Sequence, residues 1–211
     1  MSDLTLYTHP MSRGRVVRWM LEEVGADYTV KTLEFGGDMK GPEYLAINPM
    51  GKVPAIKHGD VVVTEVAAIC AWLADRFPEK NLAPGLHAPE RGGYYRWLFF
   101  MAGPFEMASS AIAYDWRIDS SNEQAVGCGP VNDSIKVLEQ ALAKTPYICG
   151  DQFTAADVLV SSYLWWEMMQ ENIPRLDVFR EYTDRLESRP AARRANALDD
   201  ELAEQLKVAA G

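Results

Sequence analysis

Apolar positions change period several times within the first 80 residues, whereas everything after Pro84 keeps the helical one. Leu4, Thr5, Leu6 and Tyr7 form a short β-rich run that His9, Pro10, Met11 and Ser12 break. Val16, Val17, Met20, Leu21 and Val24 then recur at helical spacing, and Gly25 suits the left-handed residue that closes a helix. Tyr28 to Leu33 alternates as a second strand. Gly36 and Gly37 open a loop that leads to a helical stretch over Pro42 to Ile47. Val53 to Lys57 and Val61 to Thr64 flank His58, Gly59 and Asp60, which is the pattern of a hairpin. Ala68, Ile69, Trp72, Leu73 and Phe77 give a third helix that Pro78 stops. The predicted order is βαβαββα.

Asn81 to Pro89, with two prolines and a glycine, reads as a linker. Beyond it Tyr94, Trp97, Leu98, Met101 and Phe105 mark one helix face, Val131, Ile135, Leu138 and Leu142 another, and Leu176, Phe179, Tyr182 and Leu186 a third. One helix start is fully specified: Thr154 as N-cap, Asp157 as its capping-box partner, and Phe153 and Val158 as a hydrophobic staple. The fold class is therefore α/β plus all-α, with an α/β domain over 1–80, a linker over 81–87 and an all-helical domain over 88–211.

Charge and composition narrow the function. With 30 acidic and 21 basic residues the net charge is −9, carried mostly after residue 80. Such a chain repels polyphosphate and has no basic stripe, so no nucleic-acid partner is expected. The longest apolar run, Val66 to Ala74, is far short of the roughly 20 residues that span a bilayer, and Asp3 spoils a basic leader, so no membrane is expected. Cys70, Cys128 and Cys149 lack paired spacing, which suits a reducing cytoplasm, and His9, His58 and His87 are too scattered for a metal site.

Candidate chemistry lies in the first 80 residues. Pro54 removes a donor from an otherwise good strand: either it starts the strand, or it leaves the Val53 backbone open to pair with an extended peptide-like ligand, with Pro54 in the cis form. Arg13, Arg15 and Arg18 crowd the start of the first helix while Glu22 and Glu23 sit near its end, the reverse of what the helix dipole favours. One explanation is anion attraction beside Ser12; the other is an Arg18–Glu22 pair with the remaining arginines solvated, and Ser12 merely an N-cap. Glu65 opens the third helix, where it suits the dipole and also a ligand ammonium. Lys40 and Lys52 sit in loops.

Three segments in order, Leu6-Tyr7-Thr8-His9-Pro10-Met11-Ser12-Arg13, Asn48-Pro49-Met50-Gly51-Lys52-Val53-Pro54 and Thr64-Glu65-Val66-Ala67-Ala68-Ile69, together with Phe153-Thr154-Ala155-Ala156-Asp157, resemble the cytosolic glutathione transferases. The resemblance spans nearly the whole chain. It implies a thioredoxin-like N-terminal domain, an all-helical C-terminal domain, a cis Pro54, a homodimer and glutathione as co-substrate. It also implies that Ser12, or Tyr7 as its rival, hydrogen-bonds the glutathione sulfur, and that the Val53 backbone pairs with the cysteinyl residue. Glu65 meets the γ-glutamyl group, and Lys40 and Lys52 the glycine carboxylate. Beside this resemblance, the helix start and Arg13 or Arg15 would help Ser12 hold the anion. Val66 departs from the family's usual serine or aspartate, leaving only its N–H for the γ-glutamyl group, a loss of about 0.5–1.5 kcal/mol. No cysteine lies between Tyr7 and Arg15, which excludes the cysteine type. The expected reaction joins the thiolate to small apolar electrophiles, in a pocket walled by Met11, Tyr94, Trp97, Met101 and Phe105. Alternatives are a glutathione-dependent isomerase, dehalogenase or peroxidase, or a non-catalytic binding protein on the same scaffold.

Overall fold

A computed structural model of the chain describes residues 3–210, so the expected domain limits at residues 1 and 211 lie outside the described residues. The chain forms two compact units. One runs up to Lys80 and takes in the residues from Ser188 onward; the other runs from Asn81 to Glu187.

The first unit follows the predicted order: β1 (Leu4–Thr8), α1 (Gly14–Val24), β2 (Thr29–Thr32), a 3-10 turn (Asp38–Lys40), α2 (Pro42–Leu45), β3 (Ala55–His58), β4 (Val61–Thr64) and α3 (Val66–Arg76). The sheet order is β2-β1-β3-β4, with β1 and β2 parallel and the other pairs antiparallel. This is a thioredoxin-like arrangement. Alternation along β1 separates two faces. Tyr7, opposite Ala55, joins Met39 and Tyr44 in one cluster, while Leu6, opposite Ile56, belongs to the other face. Gly25 closes α1 at φ 64° with its N–H on the Leu21 carbonyl at 3.0 Å, as its sequence position predicts.

Several strand limits differ from the sequence reading: β1 extends to Thr8, β2 covers only Thr29–Thr32, and both ends of β3 move. β3 begins at Ala55 instead of Val53, because Pro54 has no N–H and the Val53–Pro54 peptide is cis. The hairpin turn is only Gly59 and Asp60, since His58 pairs with Val61; Gly59 supplies a φ of 58°.

The second unit contains α4 (Glu90–Phe100), a π-helical turn (Met101–Phe105), α5 (Glu106–Ala113), α6 (Val131–Leu142), α7 (Ala155–Met169) and α8 (Asp177–Glu187). Residues 114–130 are turns and loop, contrary to the uniform helix expected after Pro84. Glycines at 127 and 129 and Pro130 break the helical pattern there. Pro104 lacks the N–H that an α-helix needs, and the Glu106 N–H bonds the Met101 carbonyl five residues back. At the start of α7 the predicted capping box forms. The Thr154 N–H donates to Asp157 Oδ2 at 2.8 Å, and Ile148 N–H and Tyr182 Oη–H each donate to Oδ1 at 2.7 Å.

The last helix, α9 (Pro190–Ala210), belongs with the strands although the sequence reading counts it with the helical domain. It packs along α1, for reasons of charge described next. Among the described residues no helix is long and apolar enough to cross a membrane.

Candidate functional site

The site grows from the loop between β1 and α1. Ser12 is not the helix N-cap: Arg13 holds that position, and the Ser12 Oγ instead accepts the N–H of Gly14, the first helical residue, at 3.0 Å. The Ser12 hydroxyl proton is donated to the His9 carbonyl at 2.6 Å, and the Ser12 N–H meets the same carbonyl at 3.0 Å. Met11 N–H donates to His9 Nδ1 at 3.1 Å. Burial holds the His9 imidazole below its ordinary pKa against the opposing pull of Glu34, so Nδ1 remains an acceptor at neutral pH. Its ring rests on Phe35, with centroids 4.2 Å apart.

The direct Arg18–Glu22 pair expected on α1 does not form. Arg18 is buried, 4% exposed, with its Nε 2.9 Å from Asp199 Oδ1 on α9. It reaches Glu22 only through the Tyr28 hydroxyl, which lies 3.5 Å from Arg18 and donates to Glu22 at 2.8 Å. Arg15 binds Asp200 at 2.7 Å, Glu22 meets Arg194 at 3.1 Å, and Glu23 meets Arg189 through two bonds of 2.7 and 2.8 Å. Residue numbers rise along one helix as they fall along the other, so the helices are antiparallel. Four of the charges that contradict the dipole of α1, Arg15, Arg18, Glu22 and Glu23, are matched by residues in α9 or immediately before it. Asp199, Asp200, Arg189 and Arg194 are residues the sequence reading missed. The signal was there: two arginines followed by two aspartates, the mirror of α1.

The second element of the site is the chain around Pro54. Among the described residues neither the N–H nor the C=O of Val53 has a hydrogen-bond partner. The preceding Lys52 carbonyl is gripped by the Tyr44 hydroxyl and Asn48 Nδ2, each at 2.7 Å, which fixes the segment that presents Val53. Burial pushes Tyr44 up to about 12, so it stays a donor. The third element is the start of α3. Glu65 is exposed and takes φ 68° and ψ 122°, a conformation that costs a non-glycine residue about 1–3 kcal/mol. Val66 follows as the first helical residue, 7% exposed.

The remaining candidates fall in varied places. Arg13 and Lys52 are exposed, and Lys40 is exposed with its Nζ on the Met50 carbonyl at 2.8 Å. Tyr7 is 6% exposed and packs 5.7 Å from Tyr44, ring to ring. Met11 is 60% exposed, whereas Tyr94, Met101 and Phe105 are fully buried and Trp97 nearly so. Those four are interior residues of the helical unit. A groove of about 500 Å³ runs instead beside the π-helical turn, lined by Ala102, Gly103, Pro104, Glu106, Met107, Ser110, Trp116, Gly127 and Cys128. Burial pushes Cys70 up to about 12 and Cys149 to about 11, so neither is a thiolate at neutral pH.

The family model described as the glutathione S-transferase N-terminal domain matches residues 2–75, and the C-terminal domain model of the same name matches residues 125–166. Glutathione S-transferase A of Pleuronectes platessa is 30% identical over 177 residues, covering 78% of this chain and 77% of its own. Glutathione S-transferase GstA of Escherichia coli O157:H7 is 28% identical over 178 residues, covering 81% of this chain and 86% of its own. Among solved structures, the theta class glutathione S-transferase of the citrus canker pathogen Xanthomonas axonopodis pv. citri, crystallised with glutathione bound, superposes with a TM-score of 0.73 at 28% identity, covering 92% of this chain and 97% of the other.

Proposed function

The chain belongs to the glutathione S-transferase family and is a glutathione transferase with glutathione as its co-substrate, and from that premise we propose that Ser12 holds the glutathione sulfur as a thiolate for attack on small apolar electrophiles. The observation that carries this reading is the bond from Gly14 N–H to Ser12 Oγ. A hydroxyl that already accepts a hydrogen bond polarises toward donation, so its proton is better presented to an anion.

The scale of the effect follows from what Ser12 gives up. A free thiol with a pKa of about 8.5 is only a few per cent thiolate at neutral pH. Turning the Ser12 proton from the neutral His9 carbonyl to a sulfur anion exchanges a bond of about 0.5–1.5 kcal/mol for one of about 1.5–3 kcal/mol. The difference, about 1.25 kcal/mol between the mid-points, lowers the thiol pKa by roughly one unit. Further lowering falls to the N–H groups at the start of α1.

Several features support the rest of the reading. The unpaired N–H and C=O of Val53 suit antiparallel pairing with the cysteinyl backbone beside cis Pro54. Exposed Glu65 suits the γ-glutamyl ammonium, Val66 N–H its carboxylate, and Lys40, Lys52 and Arg13 the anionic ends of the tripeptide. Tyr7 is less suited than Ser12 to meet a sulfur, because it is buried among Met39, Tyr44 and Ala55 while Ser12 is half-buried at a loop. The largely apolar lining of the groove beside the π-helical turn supports an apolar second substrate, a role in which Met107 and Trp116 replace Tyr94, Trp97, Met101 and Phe105. In the reaction the thiol proton leaves to solvent, a carbon–sulfur bond forms, and the leaving group departs with its electron pair. No enzyme nucleophile takes part. The large apolar side chains left exposed, Phe99 and Met50 among them, support a homodimer, and three free thiols suit a reducing cytoplasm.

The test is the ultraviolet absorbance of the thiolate in the protein–glutathione complex against pH. Ser12→Ala is expected to raise the midpoint by about one unit. An unchanged midpoint overturns the assignment of Ser12, and an equivalent shift in Tyr7→Phe transfers the role to Tyr7.

A further inference from the structure

We propose that Arg15 on α1 and Asp200 on α9 are positioning residues for Ser12, acting by clasping the Pro10–Met11 peptide of the loop that carries it; this rests on the reading of Ser12 as the thiolate donor. Arg15 Nε donates to the Pro10 carbonyl at 2.6 Å, and Arg15 Nη2 donates to Asp200 Oδ1 at 2.7 Å. The N–H at the other end of the same peptide, that of Met11, donates to His9 Nδ1 at 3.1 Å. One peptide plane is thus held at both ends and cannot flip without breaking both bonds. The residues on either side of it, His9 and Ser12, share the hydrogen bond from the Ser12 hydroxyl to the His9 carbonyl, so the plane sets where that hydroxyl points. Asp200 acts through Arg15: it fixes one edge of the guanidinium fork so that Nε faces Pro10.

The sequence suggests another role for Arg15, as a cation that attracts the sulfur anion. Its charge is already matched by Asp200, with Asp199 also near it. The two roles predict opposite results when Asp200 is removed. A cation released from its carboxylate strengthens the thiolate and lowers the ionisation midpoint. A clasp that has lost its anchor lets Ser12 wander and raises it. The pair is 29% and 68% exposed in its side chains, so folding depends on it little and the readouts separate.

The experiment compares Asp200→Ala, Asp200→Glu, Arg15→Lys and Ser12→Ala in the full chain. Thiolate absorbance with bound glutathione is followed against pH, and kcat and KM are measured with an aryl halide that the parent protein turns over. Asp200→Ala is expected to raise the midpoint by about half a unit and lower kcat roughly threefold, with the melting temperature moving no more than about 3 °C. Asp200→Glu restores both. Arg15→Lys keeps the charge but cannot bridge both partners, and is expected to resemble Asp200→Ala. A lowered or unchanged midpoint in Asp200→Ala, or parent-like behaviour of Arg15→Lys, overturns the clasp while a shift in Ser12→Ala leaves the Ser12 reading standing. No shift in Ser12→Ala brings down that reading and the clasp with it.

Discussion

Gly14 sits where no side chain fits. A Cβ there would lie 1.8 Å from Thr8 Oγ1 and 3.0 Å from both Thr8 Cβ and Ser12 Oγ. Thr8 is fully buried at the end of β1, so it has little room to yield. Close approach of α1 to β1 is what brings the Gly14 N–H onto Ser12, and it requires a residue without a Cβ. Gly14→Ala is therefore expected to lose about 2 kcal/mol of stability, more than the few tenths that alanine gains at a helix start. Urea denaturation reads this directly, and a parent-like midpoint would show that Thr8 can turn away. At this scale the sequence names its chemistry better than its geometry. The motifs nominate Ser12, Val53 and Glu65 as candidates, but the Ser12 bonds to Gly14 and His9 depend on a β1–α1 distance that no local pattern encodes. The interior placement of Tyr94, Met101 and Phe105 was hidden for the same reason, since an apolar stripe looks alike whether it lines a pocket or a core.

Among the elements, α1 shows how a broken local rule points to a partner. Its positive start and negative end oppose the dipole by a few tenths of a kcal/mol per residue, and the buried or bidentate pairs with α9 outweigh that. Glu23 accepts both the Arg189 fork and the Trp19 indole N–H at 2.9 Å, with only 7% of its side chain exposed. Glu23→Arg should cost about 2–4 kcal/mol, because it strips both donors of their acceptor and sets two cations together. Adding Arg189→Glu should return about 1–2 kcal/mol of that in a double-mutant cycle followed by chemical denaturation; strict additivity would mean the pair does not hold the helices. The long helix of the second unit carries the opposite lesson. Its stripe from Tyr94 to Phe105 reads as one regular helix, and Gly103-Pro104 is the local sign of the π-helical turn inside it.

Over the whole molecule, the strand-bearing unit is built from two stretches of chain separated by the entire helical unit. Periodicity separates strand-and-helix sequence from helical sequence, which is the fold class the chain has, but it is blind to which neighbour a helix packs on, and the Arg189–Glu23 contact bridges 166 positions. Only charge carries that information. The arrangement makes the α/β unit depend on the far end of the sequence. Without α9, Arg18 loses the Asp199 carboxylate, and the face of α1 that α9 covers opens to water. Loss of the Ala191, Ala192 and Ala195 packing adds to that. Set against a total stability of about 5–15 kcal/mol, these losses remove a large part of what holds the unit together. A chain ending at Glu187 is therefore expected to lose amide hydrogen-exchange protection in β1 and β3, and glutathione binding with it, while α7 stays protected through its capping box and dense burial. Protected strands in the shortened chain would mean that α1 tolerates Arg18 unpaired, and that α9 adds adjustment of the Ser12 loop without supporting the fold beneath it.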